Sequence, residues 1–586
     1  MPKENNKMQV DIDTLKKQNV NDLLSIKEIY SKLEELGEKI TKIKYIDNTL
    51  VKKIKKEYEN LNKIILNENI QVQLDNKIDE FNLKLTHDIE TINSYNSQLT
   101  HDIETINSQM DNNTNNISTL NSNLPYINIL KCGAKLDGVN DDSSALLLAV
   151  EYNKPIYIPQ GNMYIASPVV IENKNNIEIY GTKNSIISVK SNIEGILIQN
   201  SQNIKIHDLY FDCSNQNGLT HADNQMIRIY KCNNVRVYNN KFYNGSMGIK
   251  FDSVNILDYN NNEHTKFTGW GVGFSNIKNG DIYNNLSYNN SYDGLKGSGT
   301  FENINVYNNT CYNNTSDGFD FAGHSCKKLR VYNNNFYNNG IDGIEIKTLN
   351  RETYPLPDGI DPVFQEIEVY NNVLTDNTQS QINIANTNSD TITSKNILVK
   401  NNNIKTFESY SANKHGIRIA NVISESSVDC IVENNTMNIK GCNRGIRCIG
   451  SKNMEIRNNY ICVRGAAIET ENQGSQIVSG ILIENNNINS SDGNCINIKS
   501  DSYSTIVRFN MCLSPSTQYR INDNGTESIV YSNYANVNIT NISELPRGTK
   551  GDIVYSSDML ISGCQGWVKT QTGTTVSHWK QFGVIS

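Results

Sequence analysis

VYNNTCYNNTSDGFDFAGHSCKKLRVYNNNFYNNGIDGIEIK, residues 306–347, holds two phrases that recur through most of the chain. The first is an apolar residue, a variable one and an Asn pair: VYNN at 237, 306, 331 and 369, IYNN at 282, VENN at 432, IRNN at 456 and IENN at 483. The second follows each of them: GIKF at 248, GVGF at 271, GLKG at 294, GFDF at 318, GIEI at 343, QINI at 381, GIRI at 416, GIRC at 445, AIET at 467 and CINI at 495. The step is 22 to 25 residues through much of the array. That is short for a propeller blade, and the leucine spacing of a leucine-rich repeat is missing. Each repeat offers two or three short strands of period 2, joined by Asn- and Gly-rich turns. Stacked in parallel, they bury Ile, Val and Phe and set Asn above Asn at the corners, where amides can hydrogen bond along the stack. The fold class is mainly β, a parallel β-helix.

In the phrase Gly-apolar-X-apolar, X faces outward because side chains alternate across a strand. Reading X gives a column: Arg228, Lys250, Gly273, Lys296, Asp320, Glu345, Asn383, Arg418, Arg447, Glu469 and Asn497. Rungs lie about 4.8 Å apart, so Asp320 and Glu345 should be stacked carboxylates. Two acids so close resist joint ionisation, and one of them can then donate a proton while its neighbour stays ionised. A second column precedes the Gly: Asp293, Asp317 and Asp342, in three successive Asp-Gly steps. Asp-Gly also suits a tight corner, so these acids read as turn chemistry as well. Asp317 stands out because it forms D-x-x-D with Asp320, with His324 and Lys347 near in the pattern. The whole cluster reads either as a catalytic set or as solvated surface charge. Two carboxyls on adjacent rungs stand near the spacing of retaining glycosidases, whereas Asp293 with Glu345, two rungs or about 10 Å apart, would suit inversion.

The composition agrees with a thin repeat. Of 586 residues 37% are hydrophobic, yet only 20% are charged, with 54 basic and 62 acidic residues giving a net charge of -8. Neutral Asn, Ser, Thr and Tyr make the chain polar. No basic run points to nucleic acid, and no stretch approaches the 18 apolar residues of a membrane span. Met1 to Val10 lacks the apolar core of a secretory signal, which predicts synthesis in the cytoplasm without a signal peptide. The 12 Cys include no CxxC pair, so we read them as buried thiols rather than as zinc ligands or a disulfide framework. No metal or cofactor is expected: the chain carries no nucleotide loop and no metal-ligand run.

From Ile12 to Leu124 one heptad frame runs without a phase break, and 23 of its 33 a and d positions are apolar. LTHDIETINS occurs at 85–94 and again at 99–108, two heptads on. Ile or Leu at both a and d disfavours a dimer, so a parallel trimeric coiled coil is predicted, with a joint in the polar seam from Glu57 to Asp75. Gly37 is the only Gly of the segment and Pro125 ends it. Separate amphipathic helices in a bundle are the alternative.

NILKCGAKLDGVNDDSSALLLAV at 128–150 and KPIYIPQGNMYIASPVVI at 154–171 resemble the opening of the pectate-lyase-like β-helices of phage tailspikes and related appendages. The resemblance covers roughly 128–515. It implies a right-handed β-helix whose open end is capped by this segment, with Asp137, Asp141 and Asp142 structural. A coiled coil ahead of such a helix resembles a trimeric virion spike, as on the preneck appendages of small podoviruses. The segment DGFDFAGHS resembles the N-T-D-G-I-D-I-S-G of polygalacturonase-type β-helices, and Asp317 falls on the catalytic Asp of that family. The match then weakens: IDGIEI stands for a paired D-D, and GIRI keeps only Arg418 of R-I-K. Tailspike hydrolases commonly use a Glu with one or two Asp on neighbouring rungs, which Asp317, Asp320 and Glu345 fit.

These readings give Asp317, Asp320 and Glu345 as catalytic candidates. Lys296, Asp293, Asp342, His324, Lys347, Arg351, Tyr354 and Arg418 are substrate-binding candidates. Arg351 and Tyr354 come from TLNRETYPLPDGIDP at 348–362, a polar insertion just after Glu345 that predicts a groove wall. The implied organisation is a coiled-coil stalk for virion attachment at 1–125, a β-helix cap at 126–190, a β-helix with a glycan groove at 191–515, a linker at 516–545 and a small β module at 546–586. GDIVYSS, GWV and HWKQFG in that last part resemble a module that often closes phage tail proteins; Trp567 and Trp579 within it read as a miniature core or as a sugar platform. The leading function is a homotrimeric phage tail appendage, located in the virion and held to a tail or collar protein through its stalk. It would bind and depolymerise a bacterial surface glycan: capsule, exopolysaccharide or wall teichoic acid. Alternatives are a binding-only receptor protein, a polysaccharide lyase with Lys296 or Lys347 as base and often Ca²⁺, and, disfavoured by the missing signal, a bacterial adhesin.

Overall fold

The structure, a computed structural model, describes residues 52–57, 59, 71–191, 193–216, 225–349, 354, 362–387, 394–407, 411–423, 428–474, 476–513, 521–531, 533–537, 553–556, 566–569 and 579–582. The chain divides into two compact units, Met1–Leu124 and Pro125–Ser586.

In the first unit an α-helix runs over Gln71–Asn123, about 80 Å at 1.5 Å per residue. Its interior threonines, Thr86, Thr91, Thr100 and Thr105, return their hydroxyls to the carbonyl four residues back, so these poor helix formers stay within the helical bonding scheme. Of its a and d residues Ile78, Ile89, Ile103 and Met110 are exposed, Leu85, Ile92 and Leu99 half-buried and Ile106 buried. Exposed apolar a and d positions are what a partner helix would cover. Part of the polar seam from Glu57 to Asp75, and with it the predicted joint, lies outside the described residues.

The second unit is a mainly β, parallel solenoid of about 14 turns. The recurring phrases explain it residue by residue. In VYNN and its variants the apolar residue points inward: Val237, Ile282, Val306, Val331, Val369, Val432, Ile456 and Ile483 are all fully buried. The residue after it faces out, and where it is Tyr the rings stack rung upon rung. Tyr283, Tyr307, Tyr332 and Tyr370 lie 4.8, 5.0 and 4.9 Å apart between centroids, which reports the rung spacing directly.

The first Asn of each pair takes the left-handed conformation, with φ near 55° at Asn284, Asn308 and Asn333, a region that Asn tolerates and β-branched residues do not. The second Asn turns inward and joins a ladder that runs from Asn240 through Asn262, Asn285, Asn309, Asn334, Asn372, Asn402, Asn435, Asn459, Asn486 and Asn510 to Asn533. At Asn309, for example, Oδ1 accepts the backbone N–H and the amide of Asn285, both at 3.0 Å. Its Nδ2 donates to the Ile282 carbonyl at 2.8 Å and to Asn334 Oδ1 at 3.1 Å. Buried corner groups are thereby satisfied from one rung to the next. A second, shorter ladder links Asn290, Asn314, Asn339 and Asn377.

The opening segment builds a cap. The helix Ser143–Glu151 buries Ala145, Leu146 and Ala149. Asp142 accepts the backbone N–H of Lys135, Leu136 and Tyr164, Asp141 those of Ser143 and Ala166, and Asp137 those of Val139 and Asn140. At the far end parallel strands continue at Ile521–Asp523, Ile529–Tyr531 and Tyr534–Val537. Ile553–Ser556 pairs parallel to the last of these, and Gly566–Lys569 and Trp579–Phe582 follow antiparallel. The side chains of Trp567 and Trp579 lie outside the described residues. Every described cysteine is a free thiol.

Candidate functional site

The Gly-apolar-X-apolar strands lie side by side in strict register. Lys296 faces Asp320, Asp320 faces Glu345, Glu345 faces Asn383, and Asn383 faces Arg418. Arg447 and Glu469 follow on the next two rungs. The flanking apolar residues Phe319, Phe321, Ile344 and Ile346 are fully buried, so the period-2 alternation turns the X column away from the core. The column is not bathed in solvent, however. The side chain of Asp320 is only 4% accessible and that of Glu345 10%, because neighbouring rungs crowd over them. That burial is the physical difference from a solvated run of surface charge.

The Asp-Gly column does backbone work. Asp293 Oδ1 accepts the N–H of Asp317 at 3.1 Å, Asp317 Oδ1 that of Asp342 at 2.6 Å, and Asp342 Oδ1 that of Ser380 at 2.6 Å. The glycine after each Asp leaves room for the next rung: a Cβ on Gly318 would stand 2.7 Å from the Gly343 carbonyl oxygen. All three Asp therefore hold the corner with one oxygen, Asp317 included, and keep the other for neighbours. Asp293 Oδ2 lies 3.5 Å from Lys296 Nζ, Asp317 Oδ2 accepts from Ser316 Oγ at 3.3 Å, and Asp342 Oδ2 accepts from Asn383 Nδ2 at 2.9 Å.

The two columns converge on Asp320 and Glu345. Lys296 bonds Asp320 Oδ2 and sits 5.7 Å from the centroid of the Trp270 ring. The other oxygen, Asp320 Oδ1, is buried without a hydrogen-bond partner. Both oxygens of Glu345 accept: Oε1 from Asn383 Nδ2 at 2.8 Å and Oε2 from Lys347. Arg418 Nη1 in turn donates to Asn383 Oδ1 at 2.9 Å, which fixes which end of that amide faces the carboxylates.

Burial, and then the neighbouring acids, decide the titration. Asp320 is pushed up to about 7, by burial first, with Lys296 opposing and Asp293 and Glu345 adding to the rise. Asp342 is pushed up to about 7 by burial and by Glu345. Asp317 rises well above the carboxylate range through burial and the charges of Asp293 and Asp342. Burial works against the charge of Lys296 and Lys347, yet the adjoining carboxylates outweigh it and hold both ammonium groups above their ordinary value. Carboxylate oxygens of Asp293, Asp317 and Asp320 lie within 4.8 Å of one another, close enough to share a cation. The Lys296 ammonium already supplies a positive charge to two of these three acids.

Of the residues singled out from sequence, Asp293, Lys296, Asp317, Asp320, Asp342, Glu345 and Lys347 come together, and Arg418 joins them through Asn383. His324 is the extra residue of a β-bulge: Gly299 pairs with Gly323 and Thr300 with Ser325, so it stands outside the paired register. Tyr354 is exposed. Arg351 lies outside the described residues. Trp270, Ser380, His415 and Arg444 were missed, although the position before the Gly of each phrase, followed past the Asp-Gly steps, leads to every one of them.

A family model described as the right handed beta helix region matches residues 194–356. No curated relative matches the sequence. Among solved structures the chain is similar to the pre-mature bacteriophage phi29 gene product 12, at 13% identity over 70% of this chain and 66% of that one, with a TM-score of 0.45. It is similar to the Pseudomonas phage phi297 tailspike gp61, at 10% identity over 65% of this chain and 82% of that one, with a TM-score of 0.43. A third is the Yersinia enterocolitica family 28 exopolygalacturonase, at 12% identity over 65% and 79%, with a TM-score of 0.37. The chain thus spans just under two thirds of the first of these. The matched family model and the strand register agree on a β-helix. Among the described residues no helix is long and apolar enough to cross a membrane.

Proposed function

We propose that this chain is a phage tail appendage which binds a bacterial surface glycan and hydrolyses it at Asp320 and Glu345. The observation that carries this reading is the pair itself: two carboxyls on adjacent rungs, one raised to about 7 by burial, the other accepting donors at both oxygens. Asp320, which holds a proton up to about pH 7 and whose Oδ1 is unpartnered, gives its proton to the leaving oxygen. Glu345 attacks the reacting carbon, or takes a proton from the water that does. Adjacent rungs put the two carboxyls about 5 Å apart, near the spacing of retaining enzymes. Asp317 and Asp342 set the corner and, as neighbouring acids, add to the field that keeps a proton in the cluster.

The exposed a and d residues Ile78, Ile89, Ile103 and Met110, and the heptads that run from Ile12 to Leu124, support a homotrimer whose residues 1–125 meet a tail or collar protein of the virion. The resemblance of residues 128–171 to the tailspike opening, together with the cap that those residues build, supports the phage assignment. A lyase is disfavoured by the lysines: a base must shed its proton near neutral pH, and Lys296 and Lys347 are both held by carboxylates that raise them.

The test incubates purified protein with host wall and capsule fractions and reads polymer length, reducing ends, phosphomonoesters and unsaturated sugars in parallel. Glu345→Gln and Asp320→Asn should each lower cleavage by about a hundredfold or more while polymer binding and the trimer persist. Full activity in both variants would overturn the site. Binding without any change of polymer length in the wild type would leave a receptor-binding protein on the same scaffold.

A further inference from the structure

The third strand of each turn, the one that follows the Asn pair, presents a face unlike the other two. Nine of these strands stack in register from Leu286–Tyr288 to Met511–Leu513. Their second residues point into the core: Phe336, Leu374, Ile404, Met437, Ile461 and Ile488 are fully buried. The first and third residues therefore face out. Of these eighteen residues Lys405 alone is charged. On the same nine turns the outward residues of the VYNN strands, from Asp281 and Tyr283 to Ile506 and Arg508, include nine charged ones. The Gly-apolar-X-apolar face carries the acidic cluster and the cations around it.

Two faces of the solenoid are thus charged and one is neutral, with Val373, Tyr460 and Met511 exposed on it. Loss of charge together with Tyr and Met is the composition of the buried centre of a protein interface. The neutral face is also regular. Tyr288, Tyr312 and Tyr337 stack along it at 4.9 Å between centroids. Eight steps of about 4.8 Å make it about 38 Å long, and three residues make it about 10 Å wide. A partner that meets it at every turn must carry the same repeat over the same length, and a second solenoid of this chain does.

Three-fold closure requires a heterologous contact, one surface of each copy against a different surface of the next. Across the Asn corner the last turns offer a second surface. Leu398, Ile431, Leu482 and Ile506 face out in one column, and Ile529, exposed, follows them. Glu455 breaks the column once, and Arg457 meets its charge. The neighbouring ions pair along the stack, Arg457 with Glu433 at 2.9 Å and Arg508 with Glu484 at 2.7 Å.

We propose that the third-strand face from Leu286 to Leu513 is the surface along which copies of this chain pack side by side and parallel. The proposal rests on the reading of the chain as a homotrimer and adds to it where the solenoids meet. The face covers on the order of 400 Å², about half of what each partner gives to a stable interface. It therefore packs copies that the stalk has already joined, where local concentration is high, and does not assemble them alone.

The face carries its own probe. Cys462 faces out between Tyr460 and the following turns and is half-buried in one chain, as is Cys132 in the cap. The full-length protein is alkylated under native conditions, and labelling at each of the two cysteines is followed by peptide mass spectrometry, with the mass of the assembly read by light scattering. In the trimer Cys462 should label about tenfold or more slowly than in a variant with Asn at both Ile89 and Ile103, whose copies separate, while Cys132 labels alike in both. Tyr460→Asp with Met511→Asp, two exposed positions, should raise the Cys462 rate at unchanged mass; thermal melting confirms that the variant folds. Equal Cys462 rates in the trimer and in separated copies, or a slow rate untouched by the two Asp, overturn the face and leave the trimer. A wild type that is monomeric sinks the trimer reading and the face with it. Copies that stay together in the Asn variant with Cys462 still protected sustain the face and move assembly away from the stalk.

Discussion

Asp320→Asn should make the protein more stable in mild alkali relative to the wild type, even as it removes the proposed acid. Folded Asp320 keeps its proton up to about pH 7, whereas the unfolded chain releases it near 3.9. The folded state therefore binds more protons between those values, and stability falls as pH rises through the window. Between pH 5 and pH 8 about two pH units of it are crossed, at 1.36 kcal/mol each, so the wild type loses roughly 3 kcal/mol that an uncharged Asn does not lose. Asn also forfeits the bond from Lys296; the part of that attraction which depends on the charge of Asp320 is already contained in its folded value of about 7, so it is not counted again. The assay is urea unfolding of wild type and variant at pH 5 and at pH 8, approached from both the folded and the unfolded side. The difference between the proteins should move by about 3 kcal/mol in favour of Asn. A difference that stays the same at the two pH values would show that Asp320 ionises as an ordinary surface acid, and the acid assignment would fall with it.

Cleavage should hold below about pH 7 and decline above it, about tenfold per unit once the acid is spent; a flat profile to pH 9 would point to another donor. Asn309→Ala removes four ladder bonds and takes the partner of the Asn285 N–H, one of the two acceptors of its amide and the Asn donor to the Ile282 carbonyl, which should cost about 3–6 kcal/mol, read as a fall in urea midpoint and in the hydrogen-exchange protection of the adjoining rungs. Unchanged protection there would mean that water replaces the ladder. Asn at both Ile89 and Ile103 should dissociate the proposed trimer, seen by light scattering after size exclusion; a trimer mass unmoved by the pair would place assembly elsewhere in the chain.

Much of this architecture was legible in the sequence because a solenoid converts chain spacing into spatial adjacency. Once VYNN and GFDF are aligned by phrase, Asp320 must face Glu345, and the structure pairs them so. The Asn pairs were legible for the same reason, since one Asn per corner supplies the left-handed residue and the next supplies the ladder. What spacing could not show is what a side chain does on arrival. Asn383 was placed in the column, but that its amide spans Asp342 and Glu345 depends on rotamer and on Arg418 turning it. The depth of burial that raises Asp320 comes from the bulk of adjoining rungs, which alternation alone does not measure. His324 read as near Asp320 by sequence offset, yet a one-residue bulge took it out of register. Asp317 read as distinct from its two counterparts, and the backbone bond it makes is the same as theirs.

The Asn ladder is indifferent to the chain that connects its members. Asn309 meets Asn334 after 25 residues and Asn334 meets Asn372 after 38, with the same 3.0–3.1 Å contacts. An insertion between two corners therefore leaves the stack on either side of it unshifted, and the scaffold and its periphery are free to vary independently. Under the proposed function this separates what must be inherited unchanged from what can be swapped: exchanging a segment such as 348–362 should leave the ladder, and with it the fold, in place.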